Sequence, residues 1–112
     1  MKTYKKIDKK TLQHMIEQHK LAWLHDEEGG ELADFSGLDL SGVDFSDCIL
    51  MEAEFYHCDL TGANFSNSLL CYAEFTGANC SYVDFSDADM TGAELRGANL
   101  MNANFDNVIR EE

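Results

Sequence analysis

The sequence predicts an all-β solenoid, in which the chain winds repeatedly around one axis, preceded by a short helical segment. Three observations predict this fold. A large apolar residue recurs every five positions from Phe35 to Phe105 without a break in register. The residue two places before it is mostly small, and the two places after it are rich in turn-forming residues. Because a period of five fits neither a strand nor a helix, each unit is a short extended segment followed by a corner.

The first element is an N-terminal segment, residues 1–30, with one amphipathic helix predicted over residues 8–25. Asp8 is a suitable N-cap, and Gly29-Gly30 marks the exit into the repeats. The first winding of a solenoid has unpaired backbone groups and an open apolar end. We therefore expect the helix to cover that end, and the alternative is a helix that docks on a partner. The expected capping residues are Leu12, Met15, Ile16 and Trp23.

The second element is the repeat region, residues 31–110. Its large apolar residues alternate between Phe and Leu from Phe35 to Leu70. A three-sided coil would stack Phe on Leu, whereas a four-sided coil of twenty residues stacks like on like. A two-sided ribbon also stacks like on like, but it leaves the small residues nothing to pack against. Four sides are therefore predicted, in about four windings that reach a height of about 19 Å.

Three of the units carry a family resemblance. They are Ala63-Asn64-Phe65-Ser66-Asn67, Ala93-Glu94-Leu95-Arg96-Gly97 and Ala98-Asn99-Leu100-Met101-Asn102. This pattern resembles the pentapeptide-repeat family, and the resemblance covers about two thirds of the chain. It implies a right-handed quadrilateral β-helix.

The last element is the end of the repeats, followed by a tail of residues 111–112. Either Asn107, Val108 and Ile109 fold across the last winding, or the end stacks on a second molecule around a two-fold axis. We favour the second alternative, a homodimer through the C-terminal coil end. The residues expected there are Phe105, Val108 and Ile109.

The formal net charge of −13 is unevenly distributed, with +1 on residues 1–30 and −14 on residues 31–112. The net negative charge per unit length of the solenoid is similar to that of duplex DNA, which carries one charge for about every 1.7 Å. The interpretation we favour is that the acids serve solubility and protect exposed edges. The resemblance implies an alternative, because some pentapeptide-repeat proteins bind bacterial type II topoisomerases such as gyrase in place of DNA and confer fluoroquinolone tolerance. The charge excludes direct binding of nucleic acid.

One outward surface departs from the polar pattern. Ile49 and Leu69 occupy outward positions one winding apart. With three neighbours they form an apolar patch, which usually marks a contact. Residues 1–7 or part of the helix could cover this patch, and the alternative is a partner surface. The predicted patch consists of Ile49, Met51, Leu69, Cys71 and Tyr72.

The cysteines and histidines do not form a recognisable site. Three cysteines fall at inward positions, Cys71 should face solvent, and their different columns make disulfide pairing unexpected. A metal site formed by His57 and Cys58 is disfavoured, because adjacent residues point to opposite sides of the wall. The helix histidines lack the spacing of a metal triad and are interpreted as surface or cap residues: His14, His19 and His25.

These observations predict a non-catalytic scaffold or protein-interaction module. A solenoid this narrow fills its interior, so it lacks the cavity that an enzyme needs. No cofactor is expected, no apolar run is long enough for a membrane span, and the N-terminus has no apolar core typical of a secretory signal. We therefore expect a cytoplasmic protein with a protein partner.

Overall fold

The computed structural model describes residues 3–25 and 31–111. One α-helix, α1 (Lys9–Leu24), precedes the repeats. From Asp34 to Ile109, one residue of each five-residue unit forms an isolated parallel β-bridge. The described residues contain no longer strand, because two turn residues follow every unit. The predicted β-solenoid is therefore confirmed, but its extended segments pair through a single residue each.

The bridges set the length of a winding. Twelve of them join residues twenty positions apart, and every bridging residue except Ile109 stands directly before the inward residue of its unit. Around the bridge of Asp44 with Asn64, the Phe45 N–H donates to the Asn64 carbonyl at 2.7 Å. The Asn64 N–H donates to the Val43 carbonyl at 3.0 Å. Each winding therefore has twenty residues, and equivalent positions of successive windings lie in columns along the axis.

Each corner is a β-turn whose third residue has a left-handed backbone. In one corner the Val43 N–H donates to the Leu40 carbonyl at 3.1 Å, and Gly42 has a φ of 69°. The Asp39 carboxylate adds a local bond by accepting the Ser41 N–H at 3.1 Å. This bond explains why Asp and Asn dominate the bridging position. It is made by Asp34, Asp39, Asp44, Asp59, Asn64, Asn79, Asp84, Asp89, Asn99 and Asn104.

Two columns of phenylalanine rings fill much of the interior. Rings twenty residues apart stack with centroids 4.8–5.5 Å apart and planes within 3–18° of each other. Rings ten residues apart meet edge to face at 5.4–5.9 Å and 71–89°. Each such pair contributes about 0.5–1.5 kcal/mol beyond its buried area. The fully buried rings are those of Phe35, Phe45, Phe55, Phe65, Phe75 and Phe85.

The helix begins and ends close to the predicted limits of 8 and 25. The Asp8 carboxylate accepts the Thr11 N–H at 2.6 Å, which satisfies one of the free amide groups of the first turn. One face of α1 packs against the core of the solenoid, with Leu12 buried. The predicted exit at Gly29-Gly30 lies outside the described residues.

The segment before the helix also pairs with the solenoid. Lys5 forms a parallel bridge with Leu38. The Lys5 N–H donates to the Gly37 carbonyl at 2.9 Å, and the Asp39 N–H donates to the Lys5 carbonyl at 2.8 Å. This residue therefore supplies part of the pairing that a preceding winding would give to the first one.

Candidate functional site

An apolar column runs along one side of the solenoid. Ile49 pairs with Leu69, Leu69 with Asp89, and Asp89 with Ile109, so the four residues lie in one line. Leu69 is 41% exposed and Ile109 50%, whereas Ile49 is half-buried. Asp89 interrupts the column with a carboxylate that accepts the Thr91 N–H at 3.1 Å. The structure therefore places Ile49 and Leu69 side by side at the end of the solenoid nearer α1.

The other three patch residues lie beside this column. Met51 and Cys71 are half-buried, so Cys71 does not simply face solvent as the sequence suggested. The Cys71 thiol lies 4.0 Å from the Asp89 carbonyl oxygen, and burial raises the pKa of this thiol. Tyr72 is 59% exposed. Leu69 and Tyr72 are therefore the members of the patch that a partner could reach most readily.

The Tyr72 ring is positioned by the winding that follows it. Tyr72 has a left-handed backbone with a φ of 60°, and its ring lies over Gly92, whose φ is 71°. A Cβ atom at Gly92 would overlap the Tyr72 ring. His57 lies over Gly77 in the same way. The glycine in the next winding thus leaves room for the ring, since a side chain at that position would overlap it.

The described part of the N-terminal segment leaves the outer part of the patch open. Lys5 pairs with Leu38, more than two units before Ile49 in the winding. Leu69 and Tyr72 keep their exposure. The alternative in which residues 1–7 cover the patch therefore does not apply to residues 3–7.

The predicted capping residues lie on the helix side that meets the first winding. Leu12 is buried, and Met15 and Ile16 are half-buried against the core. Trp23 is 40% exposed, but its indole N–H donates to the Met51 carbonyl at 2.8 Å. The C-terminal end of α1 therefore contacts the patch through the backbone carbonyl of Met51.

His19, which the sequence left as either a surface or a cap residue, is a cap residue in the structure. It is fully buried, so the surface alternative is wrong. Its Nε2 lies 2.7 Å from the Met51 carbonyl oxygen, and its Nδ1 accepts the Ala33 N–H at 2.9 Å. Burial lowers the pKa of this imidazole. The helical spacing of His19 with Ile16 and Trp23 indicated the buried face, but it did not indicate the two hydrogen bonds of the ring.

The residues of the predicted dimer end continue the repeat. Ile109 pairs with Asp89, and the Val108 N–H donates to the Phe105 carbonyl at 3.2 Å. These residues therefore do not fold across the last winding, and that alternative is wrong. The inward residues Leu95, Leu100 and Phe105 are half-buried, unlike their equivalents in earlier windings.

The described residues do not bring three potential metal-ligating side chains together. Cys58 and Cys80 are buried, and burial raises their pKa to about 11 and about 12. At neutral pH both are protonated thiols, which are poor nucleophiles. Over the same part of the chain, no helix combines the length and the apolar composition of a membrane span.

A second column concentrates negative charge. Asp34 pairs with Glu54, Glu54 with Glu74, and Glu74 with Glu94. Asp34 also makes the local turn bond, by accepting the Ser36 N–H at 2.9 Å, whereas these three glutamates do not make it in the described structure. Like charges on neighbouring strands repel each other. We call these four residues the acidic column.

Comparisons with known proteins identify the repeat. A family model described as a pentapeptide repeat region matches residues 32–105. Among solved structures, a pentapeptide repeat protein from the thylakoid lumen of Arabidopsis thaliana is 36% identical over 62% of this chain and 52% of that one, with a TM-score of 0.47. HetL, a pentapeptide repeat protein involved in heterocyst differentiation regulation in the cyanobacterium Nostoc, is 27% identical over 63% of this chain and 38% of that one, with a TM-score of 0.35.

A trypsin-treated form of QnrB1, a plasmid-mediated fluoroquinolone resistance protein, is 21% identical over 79% of this chain and 70% of that one, with a TM-score of 0.30. The chain thus spans about half the length of the Arabidopsis protein and less than half that of HetL. None of the curated proteins matches it.

Proposed function

Since this chain belongs to the pentapeptide repeat family, we propose that it is a non-catalytic protein-interaction module. The observation that carries the proposal is the exposure of Leu69 and Tyr72 beside half-buried apolar neighbours on a regular wall. Continuous exposed apolar surface typically marks a contact with another protein. The backbone of this wall is fixed by its bridges, so a partner meets a pre-formed surface. The Leu69 patch consists of Ile49, Met51, Leu69, Cys71 and Tyr72.

The substitution Leu69→Asp tests this surface without disturbing the fold. Asp89 occupies the same column one winding later, and its carboxylate accepts the Thr91 N–H. Asp at position 69 can accept the Cys71 N–H in the same way. The matched control is Asn99→Asp, which adds one negative charge at the equivalent place on another side.

The measurement is a pull-down from cells of the source organism. We expect wild type and the Asn99→Asp variant to retain the same partner and Leu69→Asp to lose it. A partner that all three retain equally would contradict the Leu69 patch as the contact. Failure of wild type to retain any protein would contradict the proposed function itself.

We infer a right-handed quadrilateral cross-section with about four coils for residues 31–110. A corner every five residues and a winding of twenty support four sides, and family membership supports the right hand. We also propose that residues 1–30 form the capping segment and that residues 111–112 form a tail. A crystal structure that shows individual corners tests this geometry, and windings with three sides or a left-handed twist would contradict it.

We further propose that the end of the last winding pairs with the same end of a second copy. Half-buried Phe105 supports this interface because its equivalents Phe45, Phe65 and Phe85 are fully buried. Half-buried Val108 and exposed Ile109 lie at the same end. We expect sedimentation to show a dimer for wild type and for the control Asn104→Asp, and a monomer for Phe105→Asp. A wild-type monomer at about 100 μM would contradict the interface, since a dimer that weak falls short of a specific complex.

A second candidate function is modulation of a type II topoisomerase by imitation of DNA. The acidic column supports it, because its carboxylates repeat at about 4.8 Å along the wall. A supercoiling assay with purified gyrase, with and without a quinolone, tests it. We expect inhibition by wild type and a weaker effect of the double variant Glu54→Gln/Glu74→Gln, and the absence of any effect of wild type would contradict this candidate.

We place the protein in the cytoplasm. All four cysteines are free thiols, which is typical of a reducing compartment. The four cysteines are partly or fully buried at separate positions, which also supports a cytoplasmic location. Fractionation of the source cells tests it, and recovery of the protein outside the cytoplasm would contradict it.

A further inference from the structure

The starting edge of the solenoid is closed by the side chain of His19. In the second winding the Cys71 carbonyl accepts the Glu52 N–H at 2.9 Å. The equivalent carbonyl of the first winding belongs to Met51, and among the described residues the corresponding Leu32 N–H does not donate to it. The His19 Nε2 atom, at 2.7 Å, and the Trp23 indole N–H take the place of that missing amide.

The other ring nitrogen replaces a carbonyl. In the second winding the Ala53 N–H donates to the Leu50 carbonyl at 3.1 Å. The equivalent Ala33 N–H donates instead to Nδ1 of His19 at 2.9 Å. One imidazole thus provides both a donor and an acceptor to the solenoid edge, as a peptide group would.

This arrangement requires the neutral imidazole. The Ala33 N–H fixes Nδ1 as the acceptor, so the ring proton lies on Nε2, where it can be donated to Met51. If Nδ1 were protonated, its N–H would point at the Ala33 N–H, and the two donors would repel each other. The buried Ala33 amide would then lack an acceptor. Loss of such a bond at a buried group is costly. Within residues 3–25 and 31–111, the Trp23 indole gives the one other side-chain hydrogen bond between α1 and this edge.

We propose that His19 is a protonation-sensitive latch, whose charged form releases the C-terminal half of α1 and opens the starting edge of the solenoid. Of the described residues, Glu52 on the first winding acts on the ring through its charge and favours protonation. Burial of the ring opposes protonation and holds its pKa below the ordinary 6.5. The Met51 carbonyl carries no net charge, but its bond to Nε2 also favours the charged ring, so burial is the larger of the opposing effects on the pKa. Acid therefore exposes the part of the edge around Ala33 and Met51, while Lys5 stays paired at Leu38, and an exposed β-edge is the kind of surface that recruits another strand.

The single tryptophan of the chain reports the latch directly, because Trp23 shares the Met51 carbonyl with His19. We expect Trp23 emission to shift to longer wavelength in one titration step below pH 6.5, as the indole leaves the edge, while the far-ultraviolet signal of the solenoid is retained. His19→Gln keeps one donor and one acceptor but does not titrate, and we expect it to abolish the step. The controls His14→Gln and His25→Gln remove exposed imidazoles of the same region and should leave the step in place.

Two outcomes would overturn the proposal. One is a step that survives in the His19→Gln variant, and the other is a wild type without a step. Because that variant could fail to fold, nuclear magnetic resonance of the wild-type imidazoles gives an independent measurement. We expect the His19 titration to coincide with the Trp23 step and its neutral form to carry the proton on Nε2. A His19 that titrates at or above pH 6.5, or apart from the Trp23 step, contradicts the latch.

Discussion

At the scale of single residues, the corner positions show how much the repeat constrains the backbone. The third residue of every corner from Gly37 to Asn107 has a φ between 56° and 77°, and nine of these residues are not glycine. A left-handed backbone costs a residue with a Cβ atom about 1–2 kcal/mol. Tyr72 and Tyr82 adopt this strained backbone although their side chains are bulky. The interactions around them must therefore be strong enough to hold that conformation.

Two glycine substitutions separate backbone strain from ring packing. Gly62 has a φ of 70° and nothing within 4 Å of an added Cβ, so we expect Gly62→Ala to cost about 1 kcal/mol of unfolding free energy. Gly92→Ala has the same strain and also displaces the Tyr72 ring, so its cost should be larger. Urea denaturation measures both. Adding Tyr72→Asn should reduce the cost of Gly92→Ala to that of Gly62→Ala, and equal costs in the wild-type background would contradict the ring contact.

The Asp39 carboxylate has a large pKa shift, which its bonds to Lys6 and Ser41 cause. The Lys6 ammonium bonds it at 2.7 Å, and the Ser41 N–H and hydroxyl add two more bonds. These groups lower its pKa from 3.8 to about 2. Because the folded state holds this proton less tightly, the carboxylate stabilises the fold above about pH 3.8 and loses that contribution as the pH falls through about 2.

The substitution Lys6→Met tests this assignment. We expect the Asp39 pKa to rise towards 3.8 but to stay below it, because the Ser41 bonds remain. The thermal midpoint at neutral pH should hardly change, since the Lys6 side chain is 87% exposed and surface ion pairs contribute little. Carboxyl titration by nuclear magnetic resonance measures the pKa, with Asp44 as the internal control that should not move. An unchanged Asp39 pKa would contradict the ion pair.

At the scale of elements, the acidic column works against the stability of its own wall. Glu74 lies between Glu54 and Glu94, with a parallel bridge to each. We expect Glu74→Gln to raise the thermal midpoint at low salt by relieving this repulsion, and the gain should disappear at about 1 M salt, where screening acts within about 3 Å. Glu17→Gln is the control, because it removes the same charge from the helix. A gain from Glu74→Gln that does not depend on salt would contradict an electrostatic cause.

The solenoid was predictable from the sequence because its information is local. The units place their own apolar residues inside, and ten of them also supply a side-chain turn bond, as Asp44 does for Ser46. The helix was predictable from Asp8 and the apolar spacing for the same reason. The pairing of Lys5 with Leu38 was not, since a single bridge between distant residues leaves no periodic signal. The role of His19 depends on the distance from α1 to the first winding, which no spacing along the chain encodes.

At the scale of the whole molecule, the two ends of the described solenoid differ in how they are closed. The first winding has Lys5 paired to its edge and α1 packed on it. In the last winding, Leu95, Leu100 and Phe105 are half-buried. Because repeats are stabilised mainly by their neighbours, the unequal ends predict that local opening begins at the C-terminal winding.

Two matched phenylalanine substitutions test this gradient. Phe65 stacks on Phe45 and Phe85 and meets Phe55 and Phe75 edge to face. We expect Phe65→Leu to cost about 2 kcal/mol or more, because it removes several aromatic pairs from a fully buried site. The protein should then unfold as a unit at a lower urea concentration.

The companion substitution is Phe105→Leu, at a half-buried site where the ring stacks on Phe85 at 5.2 Å. It loses less packing, so we expect a cost below about 1 kcal/mol and a local effect. Native-state hydrogen exchange separates the two results. The amides of Asn99, Asn104 and Ile109, which donate to the preceding winding, should exchange faster in Phe105→Leu while those of Asp59 and Asn64 do not change. Uniform acceleration along the chain would show instead that the windings open together, because coupling between neighbouring windings would then outweigh the difference between the ends.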